Sequence, residues 1–486
     1  MCRTPRFQRS QWHNAEGMSR FGNSGRNLMS VSNSLRNKHR WRLTASFLVA
    51  GLTLATPAIP QTIDETPAEP VAKEAATYGP PADETAAIVP ITPIAIPKPL
   101  DRAAALASQT HPLVESAEAE ADALAAEYRG AKWQRYPNIS VEALAATSGS
   151  ALADEDGLAL NLALEQPIWS GGRISGEIAR ARATMRSGED RVDEAQRQIV
   201  LDVISAYYGY VQADERFAVL QESLRQHQEL LAAIGRRVDQ EVSPLADLTL
   251  GRSRTAQVEI DLALNEETRE SARIRLYELT GGVAIDPAIP PPGVEELLPS
   301  EEVALIEAMA CDPTLAALTS QITAAEAQRD IAKAQLLPQL LLQLSQNEIT
   351  GARAAFVLRM QLGNGGAQLA AIDSTDARVT RALAEFGQAH RRVREELRRD
   401  YVLLKAAKAR LAAGTQATGA ADDIVGSYRR QFIAGRRSWL DVMNAVREAA
   451  SARLSESDAR VLAATATARI YARTCRWQPS GADTGQ

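Results

Sequence analysis

Residues 164–183 read LEQPIWSGGRISGEIARARA. Before the glycine pair, Leu158, Leu160, Leu162, Leu164 and Ile168 alternate with Ala159, Asn161, Ala163 and Glu165. That two-residue period is the mark of a strand with one apolar face. After the pair the alternation stops and a helical period begins. A strand therefore becomes a helix across Gly171 and Gly172, which lack the Cβ that would restrict the turn. Pro167, with no N–H to donate, can end strand pairing just ahead of it.

The same passage occurs twice. His111-Pro112 opens a helical segment that ends at Tyr136-Pro137, and Asp312-Pro313 opens one that ends at Leu337-Pro338, with 25 residues from proline to proline in both. Gly171-Gly172 recurs as Gly365-Gly366, and the distance from there to Asp247 and to Asp441 is 75 residues each time. Tyr207 and Tyr277 map onto Tyr401 and Tyr471 at the same offset of 194. Length differs only between the prolines and the glycines, as expected of a surface hairpin.

In the second copy Ala354, Phe356, Leu358, Met360 and Leu362 alternate with Arg353, Ala355, Val357, Arg359 and Gln361, and Leu340, Leu342 and Leu344 with Gln339, Gln343 and Ser345. Two hairpins are predicted, at about 138–168 and about 339–362. Strands of about 9–11 residues suit a tilted crossing of a bilayer, and one apolar face opposite one polar face suits a barrel wall. A soluble hairpin packed on helices has the same pattern. Four strands cannot close a membrane barrel, whose smallest forms have about eight, and open edges in lipid are prohibitive. Membrane strands here would have to be pooled, and three chains would supply about twelve.

Past the first glycines, Ile199, Val203, Ala206, Tyr210, Ala213, Phe217, Leu220, Leu224, His227, Leu231, Ile234 and Val238 form a heptad seam, which predicts coiled-coil packing. The seam of copy two, Val393 to Phe432, is weaker and contains Asp400 and Gly414. Gly414 and Gly419 are expected to kink or break that helix, at about 1 kcal/mol each. Residues 173–240 as one helix would be about 100 Å long. The chain turns at 241–245 and 433–438 and returns as helices near 246–280 and 439–474.

Of 54 Lys and Arg, nine lie in residues 1–58 with a single acid, leaving 45 bases against 59 acids, a net −14, in the remainder. That balance argues against nucleic acid or anionic membrane surfaces as partners. Residues 36–42 are basic and 43–55 apolar, which predicts a signal peptide over 1–58; a start at Met29 would give it an ordinary length. Residues 59–100, rich in Pro and Ala, read as an extended linker. No segment has 18 continuous apolar residues. Cys311 and Cys475, in an oxidising compartment, either pair or remain two small buried thiols.

The duplication, the QPIW-SGGR junction (166–173), the paired His/Asp-Pro starts, Tyr136-Pro137-Asn138-Ile139 and the Ser438-Trp439-Leu440-Asp441-Val442 turn together resemble the TolC-like outer-membrane efflux protein family over about residues 101–477. The resemblance implies an α+β, mostly α fold: a duplicated helix–hairpin–long helix–helix unit (101–297 and 298–477, then a flexible tail, 478–486). It further implies a homotrimer, a 12-stranded barrel in outer-membrane lipid, and a periplasmic α-helical barrel. Function would be that of an exit duct for tripartite efflux or type I secretion, with a periplasmic adaptor (membrane fusion) protein and an inner-membrane RND or ABC transporter as partners. The helix-turn tips would be the periplasmic entrance. Asp441, Asp247 and Asn444 are then candidates for the pore constriction, and Glu241, Ser243, Gly435 and Arg436 for adaptor docking. Three Asp441 carboxylates around one axis would attract cations; the other reading of Asp441 and Asp247 is acids complementing helix N-termini.

The chain departs from the family pattern in places. The second junction, Gln361 to Gly366, lacks the proline and aromatic of the first, and Glu241 stands where a glycine is usual. Trp133, Tyr136 and Trp169 cluster at the strand–helix borders, as an interfacial belt or as junction core. His111, His227 and His390 are too scattered for a metal site, and no hydrolase or metalloprotease motif occurs. No enzyme and no cofactor are expected. A soluble periplasmic coiled-coil scaffold is the rival reading.

Overall fold

The computed structural model describes residues 93–146, 157–291, 293–347, 351–361 and 366–480. The expected signal peptide, the linker up to residue 92, Leu362, Gly365 and the tail beyond residue 480 lie outside the described residues. The first repeat consists of α1 (Lys98–Thr110), α2 (Pro112–Trp133), β1 (Asn138–Ala146), β2 (Gly157–Trp169), α3 (Arg173–Asp239) and α4 (Leu245–Leu279). The second consists of α5 (Glu301–Cys311), α6 (Pro313–Ala334), β3 (Gln339–Asn347), β4 (Gly351–Arg359), α7 (Ala367–Ile433) and α8 (Trp439–Arg473). Paired helices have equal lengths: 22 residues in α2 and α6, 67 in α3 and α7, 35 in α4 and α8.

The linker gives way to packed structure before residue 100. Ala95, Ile96 and Leu100 are buried, and α1 lies against α3. Pro97 and Pro99, read from sequence as extended chain, instead occupy the N-cap and first turn of α1, where a missing N–H costs nothing. α2 and α6 start alike: Leu113 N–H donates to His111 Nδ1 and Leu315 N–H to Asp312 Oδ1, both at 3.1 Å.

At the start of each long helix Gly172 (φ 93°) and Gly366 (φ 86°) are left-handed, a region costly for any residue with a Cβ. The seam residues of both repeats are buried or half-buried. α7 runs unbroken through Gly414 and Gly419, against expectation. A Cβ on Gly414 would lie 3.2 Å from Glu456 Cα and Cβ, so this glycine lets α8 approach. Burial along the α7–α8 seam outweighs the weak helix propensity.

The hairpins join in one antiparallel sheet, β1-β2-β3-β4. Pairing does not stop at Pro167. β2 continues to Trp169, with a register shift between Pro167 and Trp169 that absorbs the missing donor. The mid-molecule core gathers Leu100, Val203, Ile204, Tyr207 and Trp477. The repeat-related Tyr207 and Tyr401 hydroxyls donate to Ala288 O and Pro299 O, both at 2.8 Å, which fastens the connection between repeats. A disulfide joins Cys311 to Cys475 (Cα–Cα 6.4 Å), at the ends of α5 and α8.

Both tips turn in the same way. Val242 N–H donates to Arg237 O and Arg436 N–H to Gln431 O, each at 2.8 Å. The left-handed residue within the turn is Gly435 (φ 72°) in one and Glu241 (φ 58°) in the other. Glu241→Gly should therefore raise stability by about 1 kcal/mol. An unchanged or lower thermal midpoint would show that the Glu241 side chain compensates for its backbone.

Candidate functional site: a two-faced sheet and an acidic tip

Strand register sorts the sheet into two faces. Ile139, Val141, Leu160, Leu162, Leu164, Leu340, Leu342, Leu344, Phe356 and Leu358 fall on one by cross-strand pairing. Ile139, Val141, Leu358 and Phe356 are 65–72% exposed, so nothing among the described residues covers this part of the face. A contiguous apolar area of that kind marks a membrane or partner contact. Gln166, on the same parity, is satisfied at the base by donating to Arg135 O (3.0 Å) and to its neighbour Pro167 O.

The opposite face is hydrogen-bonded and charged. Gln343 Nε2 donates to Glu165 at 2.8 Å, Asn161 Nδ2 to Glu142 at 3.4 Å, and Arg359 lies 4.0 Å from Glu165. Lipid on one side and water on the other satisfies both faces. Among the described residues β1 and β4 are unpaired edges, which lipid forbids. Trp133, Tyr136 and Trp169 are exposed beside the strand ends, with Trp133 and Tyr136 rings 5.2 Å apart. They are not junction core within one chain. Gly171 has a packing reason as well as a conformational one, since its Cβ would lie 2.7 Å from Leu337 Cβ.

At the far end, Leu230, Ile234, Phe432, Trp439, Val442 and Met443 form a small core that fixes the tip. Asp441 sits in the first turn of α8, where its N–H donates to Ser438 Oγ at 3.2 Å. Asp441 and Asn444 line one groove between α7 and α8, together with Tyr428 and Arg447. Asp247 holds the matching place on α4, away from that groove. Of the docking candidates Glu241, Gly435 and Arg436 are exposed and Ser243 is half-buried. Val242, Leu245 and Ile433 beside them are 61–84% exposed.

Sequence reading missed Arg437. Its guanidinium lies 3.7 Å from Asp441 Oδ2 and 4.0 Å from the Tyr428 ring. The four-residue spacing to Asp441 was the available signal. Among the described residues no group of three or more His, Cys, Asp or Glu is placed to hold a metal ion.

The outer membrane efflux protein family model matches residues 104–282 and 304–474. No curated protein sequence matches the chain. The fold is similar to that of CusC, 16% identical, with a TM-score of 0.69 over 81% of this chain and 98% of that one. It is similar to VceC of Vibrio cholerae (18%, TM-score 0.67, 77% and 95%). It is also similar to the outer membrane channel CmeC of Campylobacter jejuni (13%, TM-score 0.69, 78% and 86%). At such identities the structures establish the fold, and the family match establishes membership. The rival soluble scaffold has no support from either. The two matched segments are the two repeats, and the chain belongs to the outer membrane efflux protein family as a non-enzymatic outer-membrane channel subunit with a large periplasmic helical portion.

Proposed function

We propose that three copies of this chain form the exit duct of a tripartite export assembly, for efflux or type I secretion. The observation that carries this reading is the sheet: among the described residues one face is apolar and uncovered, the other polar, and both edges are free. Pooling three sheets closes the wall against lipid, and the long helices extend the passage through the periplasm. Substrate would enter at the tips. There an adaptor would dock on Glu241, Ser243, Gly435 and Arg436, helped by the exposed Val242, Leu245 and Ile433. An inner-membrane transporter of the RND or ABC class would drive export.

Within the trimer Asp441 is assigned to the constriction, with Asn444 one turn on and Asp247 as a secondary contributor. Arg437 tempers the Asp441 charge within each chain. In planar bilayers Asp441→Ala should lower the preference for cations over anions several-fold, and Arg437→Ala should raise it. A reversal potential that neither substitution moves would remove Asp441 from the constriction.

A further inference from the structure

Just below the sheet, α2, α3 and α6 line a half-open cavity of about 580 Å³. Lys132 and Arg135 reach it from the end of α2, and Arg182 and Arg186 from α3. No carboxylate is among its lining residues, although the chain past residue 58 is acidic overall. Lys132 Nζ sits 4.1 Å from the centre of the Tyr128 ring. The side chains of Arg135, Arg182 and Arg186 have no ion-pair or hydrogen-bond partner among the described residues. Arg182 and Arg186 are also like charges one helical turn apart, a spacing that opposes helix stability. Two other arginines of α3 do have an acid one turn on, in the pairs Arg173–Glu177 and Arg225–Glu229.

The second repeat is an internal control. At the offsets that superimpose the repeats, Arg182 corresponds to Asp376, Arg186 to Thr380, Ala179 to Asp373 and Arg135 to Leu336. Arg329, the counterpart of Tyr128, lies 4.0 Å from Asp376 and 3.4 Å from Asp330. The matching place therefore neutralises itself with its own side chains. In the first repeat Arg135, Arg182 and Arg186 have no such ion pair among the described residues.

We infer that this cavity binds the phosphate of an anionic phospholipid from the leaflet facing the periplasm. Arginine forks match phosphate oxygens, and basic pockets at the membrane border suit lipid headgroups. Position selects lipid over free anion. Tyr136 lines the cavity one residue before the Pro137–Asn138 start of the wall, and the exposed Trp133 lies beside it. Local charge here overrides the acidic balance of the whole chain, because only groups within about 10 Å act through physiological salt. The inference rests on the membrane placement of the sheet.

The test uses the mature trimer in nanodiscs of phosphatidylcholine with phosphatidylglycerol, then native mass spectrometry of the lipid retained on release. Wild type should retain phosphatidylglycerol in preference to phosphatidylcholine. R182D/R186T, which installs residues the second repeat already folds with, should weaken that preference about tenfold or more. R391T, at an exposed arginine elsewhere on α7, should leave it unchanged. Equal retention by wild type and R182D/R186T would overturn the inference. So would saturable binding of inorganic phosphate alone that the double substitution abolishes, which would assign the cavity to a free anion. Failure of the membrane placement itself would be read separately, as a protein recovered without detergent and with neither lipid.

Discussion

Phe356→Arg should abolish recovery of detergent-resistant trimers from the outer-membrane fraction, while Ala355→Arg, one residue away, should leave it nearly unchanged. Phe356 pairs with Leu342 on the apolar face and is 72% exposed in the chain. Ala355 pairs with Gln343 on the polar face. An arginine held in the hydrocarbon of a barrel wall costs about 2–4 kcal/mol, and each trimer would carry three. An arginine on the water side joins Arg353 and Arg359, already there by register. Equal tolerance of both substitutions would mean that the apolar face does not meet lipid.

Arg473→Ala should cost about 3–5 kcal/mol of stability, the range for removing one partner of a buried ion pair. Asp400 occupies a seam position of α7 that coiled-coil packing would fill with an apolar side chain, and it is 3% exposed. Arg473 reaches it from α8 at 2.9 Å and also donates to Glu396 at 2.6 Å. The two acids respond in opposite directions. Burial pushes the Asp400 carboxyl above the usual range despite Arg473. Burial also raises Glu396, but hydrogen bonds from Arg392 and Arg473 outweigh it and hold Glu396 low.

A raised native pKa means that the Asp400 penalty is absent below the unfolded value of about 4 and sets in as pH rises through the native value. In R473A the missing counter-charge enlarges that penalty at neutral pH. The deficit in thermal midpoint should therefore shrink on acidification. The Glu396 contribution runs the other way, present above about 4 and lost only as pH falls below it. Asp400→Leu combined with Arg473→Met should recover most of the loss, since apolar pairs replace buried ion pairs at little cost. A deficit in R473A that does not change with pH would show that Asp400 is not the source.

The elements were legible because each is written in its own local period. Alternation at Leu158–Leu164 and Ala354–Leu358 marks strands, and the seam from Ile199 to Val238 marks a helix, since side chains repeat every two residues in one and every 3.6 in the other. The glycine junction was legible because only Gly adopts the left-handed angle of Gly172 at no cost. Three local readings failed for one reason. Pro97 and Pro99, Pro167 and Gly414 were each judged by what they do to an isolated segment. In the molecule Pro97 and Pro99 start a helix packed on α3, a bulge absorbs Pro167, and Gly414 makes room for Glu456.

Sequence by itself determined the repeat, the strand and helix periods, the two-faced character of the strands and the tips at which the helices reverse. All of these are set by residues close together in the chain. Tertiary structure alone decided which distant side chains meet: Asp400 with Arg473, Tyr207 with Ala288, Cys311 with Cys475, and four cations from α2 and α3 around one cavity. Such meetings depend on the rotation and offset of packed helices. Those are fixed by the sum of many side-chain contacts, and no local period encodes them.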